Sequence, residues 1–278
     1  MSSGQASLSA LAITAAALLA SPPVAAHDLW IVPSSFTPAV GEPVRLRLLL
    51  GDEAGDEAVP RAAAGTLVRF AAVGPDGERP VPGVGGFDPA GFVRPTVPGW
   101  YTIVYESMPS FAALDADAFR AYLREEGLAP DRAPFDGARE PVTELFRRSL
   151  KARFHVAAPG EPSTAVPPGG EVPAGLPLEL VLETIEAPAP SVASSRPLHH
   201  LVLRLLREGV AVPGALVELR ALEDRTGPRH RATTDAEGRL RVALEPGAWL
   251  ATAVHLDASR PALADFESVW TSSTFELP

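Results

Sequence analysis

Apolar and polar residues alternate at period two along much of this chain. Residues 43–50, PVRLRLLL, set Val44, Leu46, Leu48 and Leu50 against Arg45 and Arg47, the pattern of a half-buried strand. DLWIVPSSF from residue 28, TLVRFAAV (66–73) and GFVRPTVPGWYTIVYE (91–106) read as further strands, with turns at Pro75-Asp76-Gly77 and Pro98-Gly99. The pattern returns after residue 175 in LELVLETI, LHHLVLRLL, PGALVELRAL, RHRATT, RLRVAL and WLATAVHL. Short strands at regular spacing with turns between them predict an all-β sandwich architecture.

The period changes between residues 109 and 154. Leu114, Ala118, Tyr122 and Leu123 fall at helical spacing, with Asp115 or Asp117 to cap the start and Gly127 to stop the helix. Val142, Leu145, Phe146 and Leu150 predict a second helix over 139–153. Residues 155–175 are rich in Pro and Gly and read as a linker or a surface-hugging extended segment. One echo runs through the chain. Gly91 … Pro98, Gly99, Trp100 and Gly238 … Pro246, Gly247, Trp249 each read "Gly, strand, Pro-Gly, aromatic strand". The echo suggests two related β modules.

Composition narrows the function. The 30 prolines exclude a long helical bundle, and 46% hydrophobic residues suffice for a core. The net charge of −10 without basic blocks argues against non-specific nucleic-acid binding. Cysteine is absent, which removes disulfides, thiolate metal sites and a cysteine nucleophile.

Residues 8–20 form an apolar run too short to span a bilayer comfortably. Small residues follow up to Ala26, so residues 1–26 read as an export signal cleaved after Ala26. His27 then opens the mature chain, which is expected to be exported to the periplasm without a membrane-spanning segment.

Val212, Pro213, Gly214, the stretch Thr234-Asp235-Ala236-Glu237-Gly238, and Pro246-Gly247 resemble the transthyretin-like or carboxypeptidase-regulatory type of immunoglobulin-like sandwich. The wider chain resembles a bacterial periplasmic family of unknown function, often described as the periplasmic component of cobalt or nickel uptake. The likeness rests on residues 26–30 (AHDLW) with 33–36 (PSSF), residues 116–128 (ADAFRAYLREEGL) and residues 139–151. It also rests on residues 249–256 and 265–277. The resemblance implies a periplasmic, metal-associated protein, whose helical insert would either cover the metal site or contact an inner-membrane metal permease. Its choice of nickel or cobalt comes from the resemblance alone; copper and zinc accept the same nitrogen ligands.

The residues offer chemistry that fits this. A processed amino-terminal histidine supplies two ligands, the α-amine and the ring Nδ1, which close one chelate ring. Their ordinary pKa values, about 7.7–8 and about 6.5, let a divalent metal displace both protons near neutral pH. His255 is the expected partner, sharing a strand face with Trp249, Ala251 and Ala253. Asp28 and Glu267 are the carboxylates that would complete the set. His199 reads as structural, and His230, between Arg229 and Arg231, as solvated. Glu125 and Glu126 read as solvated charge on a helix surface. The glycine-rich GVGGF at 83–87 lacks the basic residue and helix of a phosphate loop. No Gly-x-Ser-x-Gly elbow is present, so an enzyme is not expected. A copper-dependent oxidoreductase would need an open coordination position beside the histidine pair.

The expectation is a mainly β protein of two immunoglobulin-like sandwich modules, 27–108 and 176–278, with a two-helix insert at 109–154. Its expected role is binding or uptake of a divalent metal through His27, His255, Asp28 and Glu267. The alternative is a non-enzymatic cell-envelope interaction module without metal.

Overall fold

The computed structural model describes residues 27–51, 55–128, 141–158, 160, 170–186, 198–223, 229–258 and 263–278. The expected export signal, residues 1–26, lies outside them, as do residues 159 and 161–169 of the Pro/Gly-rich segment at 155–175.

The fold is mainly β. A nine-stranded sheet runs through the protein and carries a four-stranded sheet on each face. The first small sheet contains β1 (Asp28–Pro33), β2 (Val44–Gly51), β3 (Asp56–Val59) and β6 (Gly91–Val93). In the central sheet, β4 (Leu67–Gly74), β5 (Gly77–Pro80), β7 (Gly99–Ser107), β8 (Ser110–Leu114) and β9 (Val142–Val156) belong to the amino-terminal half. The second small sheet contains β10 (Leu178–Glu186), β11 (His199–Arg207), β12 (Val210–Ala211) and β15 (Arg239–Leu244). The remaining strands, β13 (Leu216–Ala221), β14 (His230–Thr233), β16 (Gly247–Ala258) and β17 (Phe266–Leu277), complete the central sheet.

Alternation decides which sheet packs where. Leu150, Ala152 and Phe154 of β9 join Leu29, Ile31, Leu46 and Leu48 in the amino-terminal core. Val269 and Phe275 of β17, with Ala251 and Ala253 of β16, join Leu180, Leu203 and Leu205 in the carboxy-terminal core. Cross-strand register places Leu150 beside Ser272, so the odd-numbered core residues of β17 face the opposite side. The two small sheets therefore cover opposite faces of one shared sheet.

The echo marks corresponding corners of the two halves. Gly99 and Gly247, with φ of +136° and +131°, each begin a central-sheet strand directly after a strand of an outer sheet. That region of φ strains any residue with a Cβ.

One expectation fails. The second helix is the strand β9, paired in parallel with β17 and antiparallel with β7 and β8. Among the described residues the insert holds one helix, α1 (Ala116–Glu125). A central strand buried on both faces carries no alternation, and its apolar residues fall at helical spacing by accident. The first helix forms as expected. Asp115 Oδ1 accepts from Ala118 N at 2.7 Å, and Leu128 N donates to Leu123 O beyond Gly127. Phe119, Tyr122 and Leu123 bury against Val254, Phe266 and Trp270, on the same sheet face as the first small sheet.

The chain's single lysine is enclosed on the other face of β9. Lys151 Nζ lies 2.5 Å from Glu171 Oε1 and 2.9 Å from Glu179 Oε1. Glu179 also accepts from the backbone of Ala174, Gly175 and Leu176. This cluster ties the start of the second small sheet to the central one.

Candidate functional site at the start of the first strand

β1 lies along the central sheet and is fastened to it at both ends. Thr274 Oγ1 donates to Ile31 O at 2.7 Å, and Arg148 Nη1 donates to His27 O at 2.9 Å. Leu29 and Ile31 enter the core, which turns Trp30 to the other side. There its ring is fully buried, with the Arg220 guanidinium 4.5 Å from its centroid. These contacts fix where His27 and Asp28 sit.

Asp28 is placed in a group of charges from four other elements. Loss of water raises its pKa to about 6, against the pull of Arg220 and Arg148; Glu218 pushes the same way as burial. Glu126, the last residue of the helix turn, is raised further, to about 8. Burial is the main cause, then repulsion from Asp28 and Glu218, with Arg231 opposing. Arg231 also donates to Glu125 O, closing the helix end against β14. Glu218 is held by Arg229 and Arg231. Burial lowers the pKa of Arg148 and of Arg220, although neither approaches neutrality at ordinary pH.

Arg148 extends the group inward. Its guanidinium lies 5.5 Å from the ring centroids of both Phe146 and Trp270, and it couples to Glu144 and Tyr122 beneath α1. Glu144 is fully buried, accepts from Ser268 Oγ, and is held above the ordinary carboxylate range by burial. A continuous polar seam thus runs from His27 to the underside of the helix.

The four expected metal ligands divide two and two. His27 and Asp28 lie on the helix face of the central sheet. His255 follows Val254, which packs under α1, so its side chain points to the opposite face. There His255 Nε2 pairs with Asp257 Oδ1 at 3.0 Å, and Asp257 is also bound by Arg207. Glu267, 3.8 Å from Arg147, lies on that second face beside Asp257. Among the described residues no group of three or more His, Asp or Glu side chains is arranged to hold a metal ion.

Other histidines sort as follows. His199 is structural, buried and bonded to Pro278 O at 2.8 Å. His230, expected to be solvated, instead sets its ring edge-on to Trp249 at 5.5 Å. Glu126, expected as solvated charge, is half-buried against Asp28. Arg148, Glu218 and Arg220 carried no chemical motif; only the packing of β1 and α1 on one face brings them together.

No helix among the described residues is long and apolar enough to cross a membrane. No curated protein matches the chain. Among solved structures, the D0-D1 domain of Intimin aligns over 90% of this chain and 98% of its own. It does so at 13% identity and a TM-score of 0.21, a superposition too loose to transfer anything. The family comparison is direct: a single family model spans residues 24–257, and the chain belongs to the domain of unknown function DUF4198.

Proposed function

We propose that this protein is an exported divalent-metal binding or uptake accessory protein, with nickel or cobalt as its cargo. In this reading the signal is cleaved after Ala26, the mature chain is periplasmic, and His27 offers its amine and ring. The observation that carries the reading is that Asp28, the chain neighbour of His27, lies close enough to Glu126 to repel its carboxylate. There burial holds both carboxyls above their ordinary range, and repulsion from Asp28 raises Glu126 further. A cation bound among them would relieve that repulsion, and the nitrogen and oxygen donors suit a late divalent transition metal. His27 supplies the amine and ring as primary donors, and Asp28 and Glu126 draw in on the ion as it binds, since among the described residues no three of these side chains form a ready site. Glu218 is occupied by two arginines, and His255 with Glu267 belongs to the other face. An inner-membrane permease is the natural recipient of such cargo.

The separation of His27 from His255 favours a second reading, a cell-envelope interaction module without metal. One experiment decides between them. The protein is exported from its own signal, its intact mass is read, and it is titrated with Ni(II), Co(II), Cu(II) and Zn(II). The metal reading expects a chain beginning at His27 that retains one ion. Binding is lost on His27→Ala or on extending the amino terminus by one residue, and kept on His255→Ala. A chain beginning elsewhere, or no stoichiometric ion, leaves the second reading.

A further inference from the structure

The outer face of the β2–β6 pair differs from the acidic chain around it. Arg45 and Phe92 are register partners there, both exposed, because Val44 and Leu46 turn inward. Arg47, the next outward residue of β2, pairs with Asp88 at 3.1 Å and draws the 82–88 loop over the same face. That loop carries Val84 and Phe87, 63% and 65% exposed, and Phe92 itself is 44% exposed. Past Phe92 the face runs into a shallow groove of about 130 Å³ where Arg79, Pro82, Arg94 and Tyr101 converge.

Charge is segregated here. Arg47 and Arg79 are neutralised by Asp88 and Asp76. Arg45 and Arg94 have no acidic partner among the described residues. A net positive patch bearing aromatic side chains, on a chain of net charge −10, marks an interaction surface for a negatively charged partner. The shape favours a fluid partner over a folded one. Val84 and Phe87 project from the Gly-Val-Gly-Gly-Phe loop, and Phe92 stands on β6 at the edge of the groove. The groove is also far below the ~300–1,000 Å³ of a typical ligand pocket.

We propose that this face docks the protein on an anionic lipid bilayer. Phe87, Phe92 and Val84 enter the headgroup region, and Arg45 and Arg94 pair with lipid phosphates. The arginine stems cover apolar surface while their guanidinium groups stay at the polar level. Docking of this kind is weak, reversible and screened by salt.

Vesicle sedimentation in the presence of a chelator tests this independently of metal binding. Mixed phosphatidylglycerol–phosphatidylcholine vesicles are compared with pure phosphatidylcholine at low and high salt. The full chain should sediment with the anionic vesicles at low salt only. Arg45→Ala and Arg94→Ala should each weaken partitioning roughly fivefold, and Phe87→Ser with Phe92→Ser by at least about tenfold. All four side chains are exposed, so the variants should keep the parent's melting temperature. A Phe87→Trp variant adds a second measurement: quenching of the introduced indole's fluorescence by brominated lipid, read as the difference from the parent chain. Absence of binding to anionic vesicles at low salt, binding indifferent to these substitutions, or an introduced indole that brominated lipid leaves unquenched would overturn the proposal.

Discussion

Replacing Glu126 by glutamine isolates the charge conflict at the start of β1. In the folded chain this carboxyl is raised from an ordinary 4.5 to about 8. The folded state therefore keeps a proton that the unfolded chain releases, and stability falls as pH rises from about 4.5 to about 8. At about 1.4 kcal/mol per pH unit, the ceiling on that loss is ~5 kcal/mol. Relaxation and water entry around a half-buried group reduce it, so ~2–3 kcal/mol is expected at pH 8 and above. Glutamine keeps the shape and removes the charge. Glu126→Gln should leave stability near pH 4.5 unchanged and raise it by that amount at pH 8. The measurement is urea denaturation across this pH range, in a chelator. It uses a chain extended before His27, so that residue 27 is an internal amide as in the structure. A stabilisation independent of pH, or none at pH 8, would refute the reasoning. The first outcome would point to packing and the second to a solvated carboxylate.

Three further outcomes are expected. Lys151→Ala should cost about 3–5 kcal/mol in equilibrium denaturation, because it takes the shared cation from Glu171 and Glu179, 3% and 2% exposed, and leaves Glu171 only the more distant Arg153 at 3.6 Å. Lys151→Ala combined with Glu171→Gln should recover part of that loss, by removing one of the stranded charges. The two corner glycines separate conformational strain from crowding. Gly247→Ala meets nothing within 4 Å and should cost ~1–2 kcal/mol, whereas a Cβ at Gly99 falls 2.5 Å from Pro75 Cγ, so Gly99→Ala should cost ~2–4 kcal/mol. Equal losses at the two sites would show that the Pro75 contact gives way freely.

Some of this protein was determined by its sequence alone. Period-two alternation is a local property, and it located β2 and β11 because one side of each strand meets a core and the other does not. The cap at Asp115 and the stop at Gly127 are equally local, and α1 follows from them. His27 and Asp28 were legible as a pair because they are adjacent in the chain.

Tertiary structure decided the rest. β9 presents apolar residues at helical spacing, and its strand state depends on neighbours on both edges, from β17, β7 and β8. Its buried Arg148 and Lys151 are intelligible only through partners far along the chain, Asp28 on one face and Glu171 on the other. His255 had the right chemistry and a small-residue strand face to suggest a role beside His27. Strand parity, however, shows the direction of a side chain relative to its own strand only; which layer it meets depends on how the sheets stack. Here the two small sheets cover opposite faces of one sheet. That stacking divides His27 from His255 and brings Glu126, from a helix read as solvated, to Asp28 instead.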